Sequence, residues 1–367
     1  MPGSGPAKPL RLLVVCPSWL GDCVMATPAL KLLRENLPGA FIGGLVRPGM
    51  DELLAGVPFF DEVHVARSSG VMGPKFVAAK IRPRRYDTAV LLTNSFSTAL
   101  IVRIAGIPRR VGYDRDLRGL LLTDRLVPPA RNDGRRAAIS AVTYYKPLVA
   151  RTIGLPEGAF SQNETPLSLC VTTSDVRAAD AVLTRAGIDP ASPRAILNPG
   201  GNNPAKRWPP DRFAQVARHL HHAHGLSIFL NGSPGESELV DQIADLAAVP
   251  CVRLPRLGIT IGSLKAIVRG SALMVTNDTG PRHIAAAFGV PVVSLFGPTD
   301  PRWTTIPTPD GGEWILVADP TLPESEVADD HPERCRIEGI ALEGVLEASE
   351  RAIARGLARK KPLLDPS

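Results

Sequence analysis

At 367 residues the chain is long for one hydrophobic core and comfortable for two. Hydrophobic residues make up 44% and charged residues 21%, with 33 Gly and 36 Pro, a globular composition that excludes a disordered or fibrous chain. The net charge of +6 is uneven: residues 1–185 hold 24 Lys/Arg against 15 Asp/Glu and the rest hold 18 against 21, so the first half is the basic half, suited either to an anionic partner or to solvated loops.

The N-terminal MPGSGPAKPLR lacks the apolar stretch of a secretory leader. No run approaches the roughly 18 apolar residues of a membrane span. Short apolar runs then alternate with helical patterns, the βαβ rhythm of a parallel sheet covered on both faces. In the first half, strands are expected at 11–16, 41–46, 62–65 and 88–92, and helices at 22–36, 74–81, 97–105 and 143–153. The first strand runs through Pro17 to Gly21 into Asp22. Aspartate is a favoured helix N-cap; a carboxylate just after the first strand also stands where ligands bind and can act as a general base. Both readings stay open, and they are compatible. The pairs Arg84-Arg85, Arg109-Arg110 and Arg135-Arg136 suit phosphate, a membrane surface or solvated loops. No aromatic-interleaved basic motif accompanies them, which argues against nucleic acid.

The turn-rich segment 154–193, with one helical pattern at 174–186, is expected to hold the linker. The division is then 1–175, 176–345, and a C-terminal helix and tail, 346–367, packing back on the first domain. The second rhythm places strands at 195–198, 227–231, 251–254, 273–277 and 290–296. Its helices fall at 209–224, 236–247, 261–270, 281–288 and 342–357. Two Rossmann-like doubly wound domains facing across a central cleft would bury a ligand at the carboxyl ends of their strands.

Three segments of the second half follow strands. In LNPGGNNPAKRWPPDRF, Gly200, Gly201 and Asn202 form a turn whose amides can approach an anion, and Lys206 adds a point charge; a plain polar loop is the alternative. In NGSPGESE, Glu236 either accepts ribose hydroxyls or answers a helix dipole as a first-turn carboxylate. In TNDTGPRHIAAAFG, Thr279 and Gly280 open a helix whose free amides suit phosphate. Asp278 there would be repelled by phosphate, so it is expected to orient a loop or a hydroxyl. His283 falls in the first turn, where the dipole favours the neutral ring, whether it packs or takes part in the reaction.

The run HLHHAHG at 219–225 is assigned to a helix C-terminus and not to a metal site, because no suitably spaced carboxylates lie near it. The five cysteines, Cys16, Cys23, Cys170, Cys251 and Cys335, are odd in number and lack CxxC spacing. They indicate neither a disulfide framework nor zinc and fit a reducing cytoplasm.

Together WLGDCVMATPAL (19–30), PGGNNPAKRWP (199–209) and NDTGPRHIAAAFGVPVVSLFGPTDP (277–301), with IAGIPRRVGYDRDLRGLLLT (104–123), resemble the lipopolysaccharide heptosyltransferase family, nearest its second branch. The resemblance covers 11 to about 346. It implies a GT-B fold and inverting, metal-independent transfer of heptose from ADP-heptose to the inner-core heptose of a lipid-A-type acceptor. No cofactor is implied. It makes Asp22 the base, sets Lys206 at the diphosphate, puts Thr279 and Gly280 on phosphate and Glu236 at the ribose. Asn94, Arg109, Arg110, Arg115 and Arg118 become acceptor-side candidates, at the cytoplasmic surface of the inner membrane. Pro281 and Arg282 stand where the family pattern usually has apolar residues. A related transferase with another sugar or acceptor, a sugar-nucleotide epimerase or hydrolase, and an inactive nucleotide-binding protein are the alternatives. The lack of GxGxxG after either first strand disfavours a dehydrogenase.

Overall fold

The computed structural model describes residues 10–131, 134, 137–161, 165–308 and 312–357. Arg135-Arg136, the extreme N-terminal segment and the tail beyond 357 lie outside them. The chain divides into two compact units, Met1–Thr165 and Pro166–Ser367. Unit 1 runs β1 (Arg11–Val15), α1 (Leu20–Met25), α2 (Thr27–Asn36), β2 (Phe41–Val46), α3 (Met50–Leu53), β3 (Glu62–Val65), α4 (Gly73–Ile81), β4 (Thr88–Leu91), α5 (Phe96–Ile104), β5 (Arg109–Tyr113), β6 (Asp124–Leu126) and α6 (Ala141–Ile153). Unit 2 continues with α7 (Thr173–Ala186), β7 (Arg194–Asn198), α8 (Pro210–His224), β8 (Ser227–Leu230), α9 (Ser237–Ala247), β9 (Cys251–Arg253), α10 (Ile261–Arg269), β10 (Leu273–Asn277), α11 (Gly280–Ala287), β11 (Val292–Phe296), β12 (Glu313–Val317) and α12 (Leu342–Leu357).

Among the described residues the strands form two six-stranded sheets, ordered β3-β2-β1-β4-β5-β6 and β12-β11-β10-β7-β8-β9. All neighbouring pairs are parallel. Counted from its own first strand, each sheet has the order 3-2-1-4-5-6. The order reverses between β1 and β4 in unit 1 and between β7 and β10 in unit 2. At such a switch point the neighbouring loops part and leave a crevice for ligand. The near-continuous apolar strands follow from coverage on both faces: Leu12, Leu13 and Val14, like Ala195, Ile196 and Leu197, have no exposed surface.

The structure moves three expected boundaries. Residues 166–171 belong with unit 2, where Leu167, Leu169 and Val171 are buried and Lys265 Nζ donates 2.9 Å to the Cys170 carbonyl. The C-terminal helix, expected to return to the first domain, is part of unit 2's own core. Val345, Ala348, Ala352 and Ile353 pack there with Leu273, Val275 and Leu295. A Cβ at Gly356 would stand 1.8 Å from the Ala272 carbonyl, so glycine permits this close approach. The expected helix 22–36 is divided at Ala26, two residues before Pro28. Proline lacks the amide to continue the ladder, and Thr27 Oγ1 donates 2.7 Å to the Val24 carbonyl at the break.

Candidate active site

In unit 2 the loops after β7, β8 and β10 converge at the switch point. Asn203 caps the 3-10 turn Pro204–Lys206, its side chain accepting from the Ala205 amide at 3.1 Å. Two residues on, the Trp208 indole is buried, donates 3.0 Å to the Ile340 carbonyl and meets Phe213 edge-on. Its backbone amide donates to Asn277 Oδ1 at 3.3 Å, while the Asn277 amide group donates back to the carbonyls of Pro199 and Gly200. One buried asparagine thereby joins both ends of the Gly-rich loop to the end of β10. Such a network is rigid because its members are mutually satisfied in a low-dielectric interior.

Lys206 projects from this frame. Its Nζ lies 3.2 Å from Asp278 Oδ2, whose other oxygen accepts from Thr304 Oγ1 at 3.2 Å. Asp278 therefore contacts both the lysine and a neighbouring hydroxyl. An ammonium has three donors, and one suffices for Asp278. Thr279 is the N-cap residue of α11 without a side-chain cap bond. Its hydroxyl is held by Asn198 Nδ2 at 2.6 Å, and Asn198 is braced in turn by Asn231 at 2.6 Å. The first amides of a helix have no intrahelical acceptor and carry its positive dipole end. Gly201 is buried beside Thr279, whereas Asn202 is exposed.

Glu236 is the partner in a capping box with Ser233. Its Oε2 accepts from the Ser233 amide and hydroxyl, and its Oε1 from the Gly201 amide at 2.7 Å. Partial burial raises its pKa, but these donors, joined by Arg207, outweigh it and leave the carboxyl below its ordinary range. The carboxylate thus ties the β7 loop to the β8 loop. A Cβ at Gly200 would stand 2.3 Å from Glu236 Oε1, so that glycine is required by close approach. His283 is buried; burial first, then the adjacent Arg282, lower its pKa to about 3, so the ring is neutral. Among the described residues its Nδ1 has no hydrogen-bond partner.

Sequence reasoning missed Arg282. It is fully buried, donates from Nε to Glu313 Oε1 at 2.6 Å and to Ser294 Oγ at 3.1 Å, and from Nη1 to the Thr304 carbonyl at 2.9 Å. It also lies 4.9 Å over the Phe296 ring. An arginine at an apolar helix position was the available signal; its partner Glu313 opens a strand that the pattern did not reveal.

Unit 1 is different. Asp22 is half-buried in the first turn of α1, whose N-cap is Trp19, so Asp22 is the third helical residue and not the cap. The Cys16 thiol at the end of β1 is pushed up to about 12 by burial and is no nucleophile at neutral pH. A cavity of about 250 Å³ opens here, lined by Ser18, Arg47, Ser68, Ser95 and Thr98 among others. The expected acceptor arginines are mostly committed elsewhere. Arg118 is fully buried, with Nε on the Tyr113 carbonyl, Nη1 on the Thr93 carbonyl and Nη2 3.2 Å from Asn94 Oδ1. Burial lowers its pKa to about 10, so it stays charged at neutral pH. Arg109 serves the carbonyls of Arg151 and Thr152, and Arg110 those of Ile107, Pro108 and Leu121. Asn94 also accepts from Tyr144. Arg115 is half-buried.

The histidine run closes α8 ahead of Gly225, which has the left-handed conformation of a C-terminal cap. Yet a carboxylate absent from its sequence neighbourhood, Glu350 of α12, reaches both His219 and His224.

Residues 76–329 match the model of glycosyltransferase family 9 (heptosyltransferase). Lipopolysaccharide heptosyltransferase 2 of Salmonella typhimurium is 31% identical over 316 residues, 80% of this chain and 85% of that one. Its counterpart in Escherichia coli is 29% identical over 317 residues with the same coverage. The solved E. coli ADP-heptose lps heptosyltransferase II superposes with a TM-score of 0.76 at 25% identity, covering 95% of this chain and all of that one. The two doubly wound units are those of the GT-B fold, and with its family model matched over most of its length the chain belongs to glycosyltransferase family 9 and is a glycosyltransferase.

Proposed function

We propose that the chain moves L-glycero-D-manno-heptose from ADP-heptose to the inner-core heptose of a lipopolysaccharide acceptor, with inversion and without a divalent cation. The observation that carries this reading is the convergence at unit 2's switch point of Lys206, the Gly200-Gly201 turn and the amino end of α11. Lys206 and the α11 amides are donors suited to a diphosphate, and the glycine turn gives the ligand close access to the backbone. The names of the relatives supply the sugar.

In this mechanism the acceptor hydroxyl oxygen bonds to the anomeric carbon while the bond from that carbon to the diphosphate breaks on the opposite face. Asp22 takes the hydroxyl proton, and ADP leaves. The transition state is oxocarbenium-like, as in other glycosyl chemistry, and negative charge grows on the departing phosphate. Lys206 and the α11 amides meet it; one preorganised donor of this kind contributes about 2.7–4 kcal/mol. Asp278 fixes Lys206 for that task, and Glu236 holds the loop while its remaining lone pairs face a ribose. His283 supports α11 as a neutral packing group.

On the acceptor side, the cavity beside Ser18 and Arg47 takes a sugar, and Arg115 meets acceptor phosphate. Arg118 and Asn94 brace this surface from within, whereas Arg109 and Arg110 open β5 at the opposite, amino end of the sheet and pin backbone there. The protein works at the cytoplasmic face of the inner membrane, where a lipid-linked acceptor is presented. Among the described residues no helix is long and apolar enough to cross a membrane. The test is mass spectrometry of products from a panel of ADP- and GDP-sugars, with and without heptosylated acceptor. The reading expects heptosylated acceptor only when ADP-heptose and acceptor are both present. Release or epimerisation of the sugar from donor alone, at a comparable rate, would overturn it.

A further inference from the structure

Unit 2 carries a second cluster of chemistry-bearing side chains at its other end. His219 Nε2 and His224 Nε2 lie 2.6 and 2.8 Å from the same oxygen, Glu350 Oε1. The three ligand atoms all fall within 4.8 Å of one another. The imidazoles come from the last turns of α8 and the carboxylate from the middle of α12, 126 residues beyond His224. Both helices are fixed by their buried faces: Val216, Ala217 and Leu220 of α8, Ala348 and Ala352 of α12. The polar ends remain reachable, since Glu350 is exposed and both imidazoles are half-buried.

The position separates this cluster from the donor loops. His224 closes the helix that leads into β8 at Ser227, so the cluster stands at the amino ends of the strands. Lys206 and Thr279 follow the carboxyl ends of β7 and β10. The catalytic proposal uses none of the three.

We propose that His219, His224 and Glu350 bind a borderline divalent transition metal ion, Zn²⁺ in the first instance, as a clamp between α8 and α12. Two neutral imidazoles and a carboxylate are a donor set that such an ion takes at about 2.0–2.2 Å, with water completing a tetrahedron. Tetrahedral ligand atoms at that distance stand roughly 3.3 Å apart, so admitting the ion requires the exposed carboxylate to withdraw by at least about half an ångström. Its side-chain rotamers permit this at small cost because its end is in solvent. The two imidazoles now share one oxygen, and the ion replaces that crowded arrangement with one ligand bond each. Binding only the folded state, the ion stabilises it by mass action. His222, exposed on the same helix and outside the cluster, is the internal control.

The test uses untagged full-length protein, stripped with chelator and titrated with Zn²⁺ by calorimetry, with the thermal midpoint followed in parallel and Co²⁺ as a spectroscopic probe. One equivalent of Zn²⁺ per chain, a raised midpoint and the intense visible bands of tetrahedral Co²⁺ are expected. Loss of an outer partner costs a metal site about 10- to 100-fold in affinity, so His224→Gln and Glu350→Gln should weaken Zn²⁺ at least that much while His222→Gln binds as wild type. Glu350→Gln keeps a hydrogen-bond acceptor, and its metal-free midpoint near that of wild type shows that folding is intact. Absence of saturable binding, or Zn²⁺ affinity equal in wild type and Glu350→Gln, would overturn the site. None of these readouts depends on transferase activity, so failure here leaves the proposed reaction standing.

Discussion

The two units share one strand order and differ in how they use their polar side chains. At unit 2's switch point polar side chains hold each other: Asn277 joins two loops, Asp278 meets Lys206, and Asn198 holds the Thr279 hydroxyl. In unit 1, which carries the excess of positive charge, Arg109, Arg110 and Arg118 direct their guanidinium groups to carbonyls of their own chain. Formal charge and the proposed phosphate grip therefore fall in different units. A guanidinium has five donors in a rigid fork and is well suited to pinning irregular backbone, and here it braces loops. The proposed anion site lies in the unit with the lower net charge, where Lys206 and helix amides supply the field.

The sharpest way to break this contrast is through Asp22, the one group that gives unit 1 a chemical role. Asp22→Asn should lower turnover by about 100- to 10,000-fold while calorimetry finds ADP binding unchanged; normal turnover would reduce Asp22 to a helix-end residue. Next come the buried arginines. Removing one partner of a buried pair costs about 3–5 kcal/mol, so Arg282→Ala should lower the denaturant midpoint severely, with Arg282→Met plus Glu313→Gln recovering much of it. Arg118→Ala should likewise act on stability. If it instead leaves the midpoint alone and weakens acceptor binding with a flatter salt dependence, unit 1's arginines are ligand contacts after all.

A smaller effect is expected at Gly200→Ala, where the new Cβ would be forced against the Glu236 carboxylate. Overpacking of this kind costs about 1–3 kcal/mol, read as a lower thermal midpoint with weaker ADP binding. Gly235→Ala, with nothing within 4 Å of its Cβ, should change neither. The smallest effect is on pH dependence. His283 has a folded pKa of about 3 against an ordinary 6.5, so below pH 6.5 the unfolded chain takes up a proton that the folded chain refuses. Its contribution is present above pH 6.5 and is lost as the pH falls toward 3. Denaturant midpoints at pH 7.5 and 5 should therefore differ less in His283→Gln than in wild type.

The repeat of apolar strands was readable in the sequence because parallel strands covered on both faces are nearly all apolar: Leu12 to Val15 and Val292 to Phe296 are examples. The strands that escaped are short or carry charge. These are β5 with Arg109-Arg110, β6 with Asp124-Arg125, and β12, which opens with Glu313. The alternation of Leu167, Leu169 and Val171 was visible but lay inside the turn-rich segment expected to hold the linker, so the domain boundary was set at 175/176, ten residues later than the division of the two compact units. In the site, Lys206, Thr279 and Gly280 were readable because they follow strands. Asn198, Asn277 and Trp208 were not, since their roles depend on partners up to 132 residues away. Glu350 shows the same limit: no sequence window contains it together with His219.

The central claim is that unit 2 stabilises the departing diphosphate with Lys206 and helix amides in place of a metal ion. Single-turnover heptose transfer, measured for wild type and Lys206→Ala in Mg²⁺ and in EDTA, tests it most directly. The account predicts equal wild-type rates in both, and a variant slowed about 100- to 1,000-fold in both. Wild-type transfer that fails in EDTA and returns with Mg²⁺, or a Lys206→Ala variant as fast as wild type, would contradict it.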